Sequence, residues 1–88
     1  MTETQVQSKI RKNLEGLGWF VIRLAVTGKS GMPDLLALKK DQVPFFIEVK
    51  KMKGGVISPL QVYMLKLLNK LGFKAIVANS WEVVESEL

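Results

Sequence analysis

The 88 residues of the chain include no cysteine and no histidine. The first absence excludes disulfides, thiolate metal sites and cysteine nucleophiles. The second removes the commonest general base and metal ligand, leaving Asp, Glu, Lys, Tyr and Ser to carry any chemistry. No apolar run approaches the roughly 20 residues a membrane helix needs, and the first residues are polar and acidic with no apolar signal core. A cytoplasmic protein without a membrane partner is expected. Repeats, linkers and low-complexity segments are missing too.

What is present is a globular composition, 48% hydrophobic and 24% charged, unlike that of a disordered chain. A chain of 88 residues has room for one domain, spanning 1–88, and a domain this small buries a modest share of its surface. A second subunit would add buried area. The net charge of +5 favours an acidic partner. Nucleic acid ranks ahead of an anionic membrane because no basic amphipathic helix stands out.

Thr2 and Gln5 have the spacing of a capping box, and Val6, Ile10, Leu14 and Leu17 then follow a helical period. Gly16 and Gly18 offer that helix a stop. Trp19 to Val26 is rich in β-formers and predicts a first strand, and Thr27 to Gly31 a loop. Asp34 to Leu38 and Pro44 to Lys50 predict two more strands, joined by the polar turn Lys39 to Val43 into an antiparallel hairpin.

Lys51 to Ile57, with Gly54 and Gly55, reads as a mobile loop. It ends at Ser58 and Pro59, a helix cap followed by proline at the first helical position, with Gln61 completing the box. Met64, Leu65, Leu67, Leu68 and Leu71 mark the second helix, closed by Gly72, and Phe73 to Ala78 a fourth strand. Ser80 caps a short terminal helix. The fourth strand reaches the sheet through a helical crossover, which permits it to run parallel to the third.

A hairpin centred on Asp41 pairs Leu38 with Pro44, Leu36 with Phe46 and Asp34 with Glu48. Two carboxylates then face each other with Cβ atoms about 5 Å apart, an unfavourable pairing unless a cation lies between them. Lys50 follows Glu48 at the strand's period of two, on the same face and about 6.6 Å further on. A hard divalent cation takes carboxylate oxygens and leaves positions for water and phosphate, while a nearby ammonium stabilises developing phosphorane charge.

The plain alternative makes Asp34 a turn residue and Glu48 and Lys50 the solvated face of an edge strand. Phe45, Phe46, Ile47 and Val49 argue against it. They predict a strand buried on both faces, where ionisable groups are rare unless paired or bound to metal.

Gly31-Met32-Pro33-Asp34, then Ile47-Glu48-Val49-Lys50, then Ser58-Pro59-Leu60-Gln61 resemble the motifs of the virus-type replication-repair nuclease (VRR-NUC) domain, a branch of the PD-(D/E)xK superfamily. Pro-Asp with Glu-x-Lys is a weak signal by itself, but the three segments in this order are specific. The resemblance runs from Glu3 to Gln61. It implies an α/β, restriction-endonuclease-like αβββαβ core, a mixed sheet flanked by helices, with a short C-terminal helix added. It also implies Asp34 and Glu48 as ligands of Mg²⁺ or Mn²⁺, the Val49 carbonyl as a backbone ligand and Lys50 as the catalytic lysine.

Gln61 matches a helix glutamine that helps to hold site and substrate, a role compatible with its capping box. Glu3 matches a helix glutamate that contacts metal directly or through water, although an acidic residue in a first turn also suits the helix dipole. Small stand-alone members are homodimers that cut branched DNA such as Holliday junctions.

Lys29, Lys39, Lys40, Lys51 and Lys53 lie in loops beside the predicted strands and are candidates for phosphate contacts, which position DNA without reading its sequence. Arg23 interrupts an apolar strand and is the foremost of these candidates, since a buried arginine needs an anionic partner. Tyr63, the one tyrosine, is read as a core or interface side chain because nothing places a base beside it. Two other readings stand beside a DNA endonuclease: a DNA-binding module without chemistry, and a subunit that only assembles into a larger complex.

Overall fold

The computed structural model describes residues 1–24 and 31–88. Its elements come in the expected order: α1 (Glu3–Gly16), β1 (Phe20–Arg23), β2 (Leu35–Leu38), β3 (Phe45–Val49), α2 (Pro59–Lys70), β4 (Lys74–Ala78) and α3 (Trp81–Glu85). Residues 25–26 of the expected first strand, and the loop carrying Lys29, lie outside the described residues.

Both long helices begin as their sequences dictate. The Thr2 and Ser58 side chains accept from the backbone of Gln5 and Gln61, and each glutamine side chain returns a bond to the backbone of its cap residue. Of the two candidate stops for α1, Gly18 is the one used. It adopts φ +93° while its N–H and that of Trp19 turn back onto Glu15 and Leu14, a closure that needs the left-handed backbone glycine supplies.

The four strands form one mixed sheet in the order β1-β2-β3-β4. The hairpin register is the expected one, with Leu36 opposite Phe46 and Leu35 opposite Ile47, and β4 runs parallel to β3. The turn between β2 and β3 places Asp41 at φ 62°, and the Gln42 N–H closes it on the Lys39 carbonyl.

Alternation along β3 divides the core in two. Phe45, Ile47 and Val49 pack with Val6, Ile10 and Leu14 of α1 and Val84 of α3. Phe46 turns the other way, onto Leu65 and Leu68 of α2. Every residue of β3 is therefore buried, Glu48 included. Truncating a side chain such as Phe45 to alanine would cost about 3–5 kcal/mol. Among the described residues no helix is long and apolar enough to cross a membrane.

Candidate active site

Glu48 lies on the α2 side of β3 and is only 2% exposed. Its Oε2 accepts from the Gln61 amide at 2.9 Å and pairs with the Lys50 ammonium at 3.2 Å. The same ammonium reaches Gln61 Oε1 at 3.3 Å, closing a triangle of carboxylate, amide and ammonium. Gln61 Oε1 also accepts from the Ser58 N–H at 2.9 Å. One side chain thus completes the helix cap and holds the site.

Asp34 is fixed from both sides just before β2 begins. Its backbone carbonyl accepts the Leu24 N–H at 2.8 Å, and its carboxylate Oδ2 accepts the Val49 N–H at 2.8 Å. The hairpin ladder itself ends at Leu35 and Ile47, so Asp34 does not form the ladder pair with Glu48 that the register alone suggests. Its carboxylate caps a strand N–H that β2 no longer meets, yet stays close enough to act on Glu48.

Burial pushes the Glu48 carboxyl up to about 7, and the Asp34 charge adds to the rise, while Lys50 opposes it. The remaining oxygen, Oε1, is buried without a hydrogen-bond partner among the described residues. An orphaned buried acceptor beside a second carboxylate is a costly arrangement that a cation would relieve.

The donor set suits a hard cation. An extended residue projects its N–H and C=O to the same side of the strand, so the Val49 carbonyl shares the Asp34 side, whereas the next N–H, of Lys50, bonds to Ala78 of β4 at 3.0 Å. Two carboxylates and one carbonyl leave places for water and phosphate oxygens, the usual Mg²⁺ arrangement. Among the described residues no group of three or more acidic side chains gathers to form a fuller cage.

Several expected site residues lie elsewhere. None of the hydrogen bonds described in the site involves Glu3, which is exposed at the start of α1, the helix that packs on the opposite face of β3. Arg23 is exposed on an edge strand, so the argument from a buried charge lapses, although its pairing with Leu35 leaves it at the Asp34 end of the sheet. Lys39 and Lys40 follow β2 at the far end, about 16 Å of strand away from Asp34. The Lys39 ammonium is bound there to the Leu17 carbonyl at 2.9 Å. Tyr63 is 59% exposed and is not a core residue. Lys51 and Lys53 do lie beyond the end of β3, next to Lys50.

Two glycines, Gly31 named only within a motif and Gly55 only within a loop, have a packing role that the sequence did not reveal. Gly31 has φ +81°, and a Cβ there would meet the Leu60 side chain at 2.7 Å and its carbonyl at 3.1 Å. The chain entering Asp34 therefore lies directly against the first turn of α2. Gly55 lies against the Lys50 Cβ in the same manner, at 2.9 Å. The signal was a glycine two residues before Pro33, and a Gly-Gly pair read only as loop.

A family model for the VRR-NUC domain matches residues 1–82. A solved structure titled as a VRR_NUC domain is 32% identical with a TM-score of 0.84, covering 98% of this chain and 92% of its own. A second, titled as a VRR_NUC domain protein, is 24% identical with a TM-score of 0.76, covering 98% and 84%, and speaks for the fold alone. A comparison with curated proteins finds no match.

Proposed function

Because the chain belongs to the VRR-NUC family of nuclease-fold domains, we propose that it is a Mg²⁺- or Mn²⁺-dependent endonuclease that hydrolyses phosphodiester bonds in branched DNA and works as a homodimer. The observation that carries the reading is the buried, unpartnered Oε1 of Glu48 beside Asp34. A binding module without chemistry has no use for it.

When bound, the cation would polarise the phosphodiester and acidify a coordinated water. Asp34 and Glu48 would hold it through carboxylate oxygens, and the Val49 carbonyl would add a neutral donor. The Lys50 ammonium, held beside Glu48 Oε2 at 3.2 Å, would stabilise the charge that develops on the phosphate in the transition state. Gln61 keeps one amide proton on Glu48 and so fixes which oxygen is free. Lys51 and Lys53 contribute phosphate contacts at the same end of the sheet, and Arg23 extends them along the edge strand.

Self-association is supported by a second apolar stripe on α2. Leu60, Tyr63, Leu67 and Leu71 recur at helical spacing, and all but the half-buried Leu67 are exposed, beside the buried stripe of Met64, Leu65 and Leu68. A twofold contact there would join two sites, since the same helix carries Gln61.

The test is cleavage of a four-way junction with Mg²⁺ or Mn²⁺ by the wild-type protein and by the Glu48→Ala and Lys50→Ala variants. Cutting by the wild type alone supports the reading. An uncut junction under both metals refutes it. Sedimentation of wild type and Tyr63→Glu tests the dimer, which the substituted charge should dissociate.

A further inference from the structure

Beyond the end of the sheet the surface continues past the lysines of the candidate site into a second feature. A depression of about 390 Å³, lined by Lys50, Lys51, Val77 and Val83 among others, wraps from the α2 face around the end of β4. Met52 and Asn79 form part of its wall and equally part of the wall of a neighbouring cavity of about 340 Å³ on the α1 face. That second cavity is lined by Trp81, Met1, Val6 and Lys9, with Glu82 contributing as well. The two adjoin at Met52 and Asn79, so Lys50 lies in the wall of one and Trp81 in the wall of its neighbour.

From this adjacency we infer that the Trp81 cavity is a nucleobase site, which takes one unstacked base of the strand whose phosphate lies at Asp34, Glu48 and Lys50. The inference rests on the proposed DNA chemistry and adds to it a residue that selects substrate. Four observations identify the occupant. The cavity surface is mostly apolar, which disfavours a phosphate. It presents an indole that is packed on the core along one side and half-buried overall, the platform on which a base stacks irrespective of its sequence.

Methionines 1 and 52 are both exposed, and their flexible thioethers adapt to a flat ring. Charge then sorts the strand. Lys50 and Lys51 attract the backbone into the first depression, whereas in the second Lys9 and Glu82 offset each other and the Glu82 carboxylate offers an acceptor to an exocyclic amine.

Reach agrees with this assignment. Ala78 pairs with Val49 at the sheet's end, and Trp81 is three residues further on. Three residues span at most about 10 Å, which puts Trp81 within about three nucleotides, at roughly 3.4 Å each, of the sheet end that carries the site. A fully stacked duplex has no base to offer at that distance, whereas a branch point, a gap or a single strand does. Trp81 would thereby favour distorted DNA over plain duplex without any contact that reads sequence.

The test uses the full chain with Trp19→Phe, which leaves Trp81 as the sole indole. With Ca²⁺ in place of Mg²⁺, the protein is titrated with a blunt duplex and with the same duplex carrying a one-nucleotide gap. Quenching of Trp81 emission by the gapped duplex alone is expected. Trp81→Leu should then weaken binding of the gapped duplex about 5- to 100-fold, the equivalent of one stacked base, and leave the blunt duplex unchanged. Trp81→Phe, which keeps a ring and the packing against the core, should restore most of the preference.

Binding of both DNAs with unchanged Trp81 emission overturns the base site and leaves the nuclease reading standing. Equal loss on both DNAs in Trp81→Leu does the same. Failure of both DNAs to bind overturns the base site and the nuclease reading together.

Discussion

The amide of Gln61 donates to the Glu48 carboxylate at 2.9 Å, tying the first turn of α2 to β3, an inner strand of the sheet. The same side chain closes the Ser58 capping box. Helix capping and site geometry are therefore one structural event, and they can be separated by substitution.

Ser58→Ala removes the cap's hydroxyl and leaves the Gln61 amide, so it should cost about 1 kcal/mol of stability and less than tenfold in cleavage. Gln61→Ala removes both functions. Its stability should fall by a similar amount while cleavage falls by roughly 10- to 100-fold, an effect of the size seen when groups orienting metal ligands are lost. Melting curves and cleavage rates on the two variants check this. Equal loss of cleavage in both would assign Gln61 to the cap alone.

The raised Glu48 carboxyl predicts an unusual pH dependence in the metal-free protein. It titrates at about 7 in the folded chain against an ordinary value of 4.5. Between those values the folded chain keeps a proton that the unfolded chain has released. The contribution of Glu48 is thus complete below pH 4.5 and is lost as the pH rises through 7. Urea unfolding of wild type and Glu48→Gln should diverge across this window, by on the order of 3 kcal/mol, in favour of the variant at the upper end. Parallel curves would contradict it, and Mg²⁺ should abolish the difference by stabilising ionised wild type.

Gly31 and Gly16 make a matched pair. Gly31→Ala meets the Leu60 carbonyl and a backbone of positive φ, and should destabilise by about 1–3 kcal/mol while displacing the first turn of α2. Nothing lies within 4 Å of the position a Cβ would take on Gly16, at the end of α1. Gly16→Ala should be neutral or stabilising by up to about 1 kcal/mol. Thermal melting distinguishes them, and only Gly31→Ala should lower cleavage.

The lysines divide by end of the sheet. Lys51→Ala or Lys53→Ala should lower the salt dependence of DNA binding by about one unit of slope each. Lys39→Ala should leave that slope unchanged and reduce stability, because its ammonium is bound to the Leu17 carbonyl and lies 5.9 Å from the centre of the Trp19 ring. Fluorescence anisotropy over a salt series provides the measurement.

These contrasts also mark what the sequence conveys. The caps at Thr2 and Ser58, the hairpin register through Leu36 and Phe46, and the doubly buried β3 are local or periodic features, and each is legible residue by residue. Arg23 was misplaced because its exposure depends on β1 being an edge strand, a property of sheet order. Lys39 and Lys40 lie near the site in the chain but beyond the opposite end of β2, which only strand direction reveals. Tyr63 falls in an apolar pattern that serves two adjacent stripes of α2, one of them solvent-facing. The bond from Gln61 to Glu48 joins residues 13 apart, and no spacing rule connects a helix cap to a strand carboxylate.

The central claim is that Asp34 and Glu48 hold a divalent cation at the free oxygen of Glu48. A crystal of the protein soaked in Mn²⁺ tests it most directly, by anomalous scattering. The account predicts one strong peak at coordinating distance, about 2.1 Å, from a carboxylate oxygen of Asp34 and from Glu48 Oε1, absent in Glu48→Ala. A fully soaked crystal with no peak between those two carboxylates, or with its peak elsewhere, would contradict it.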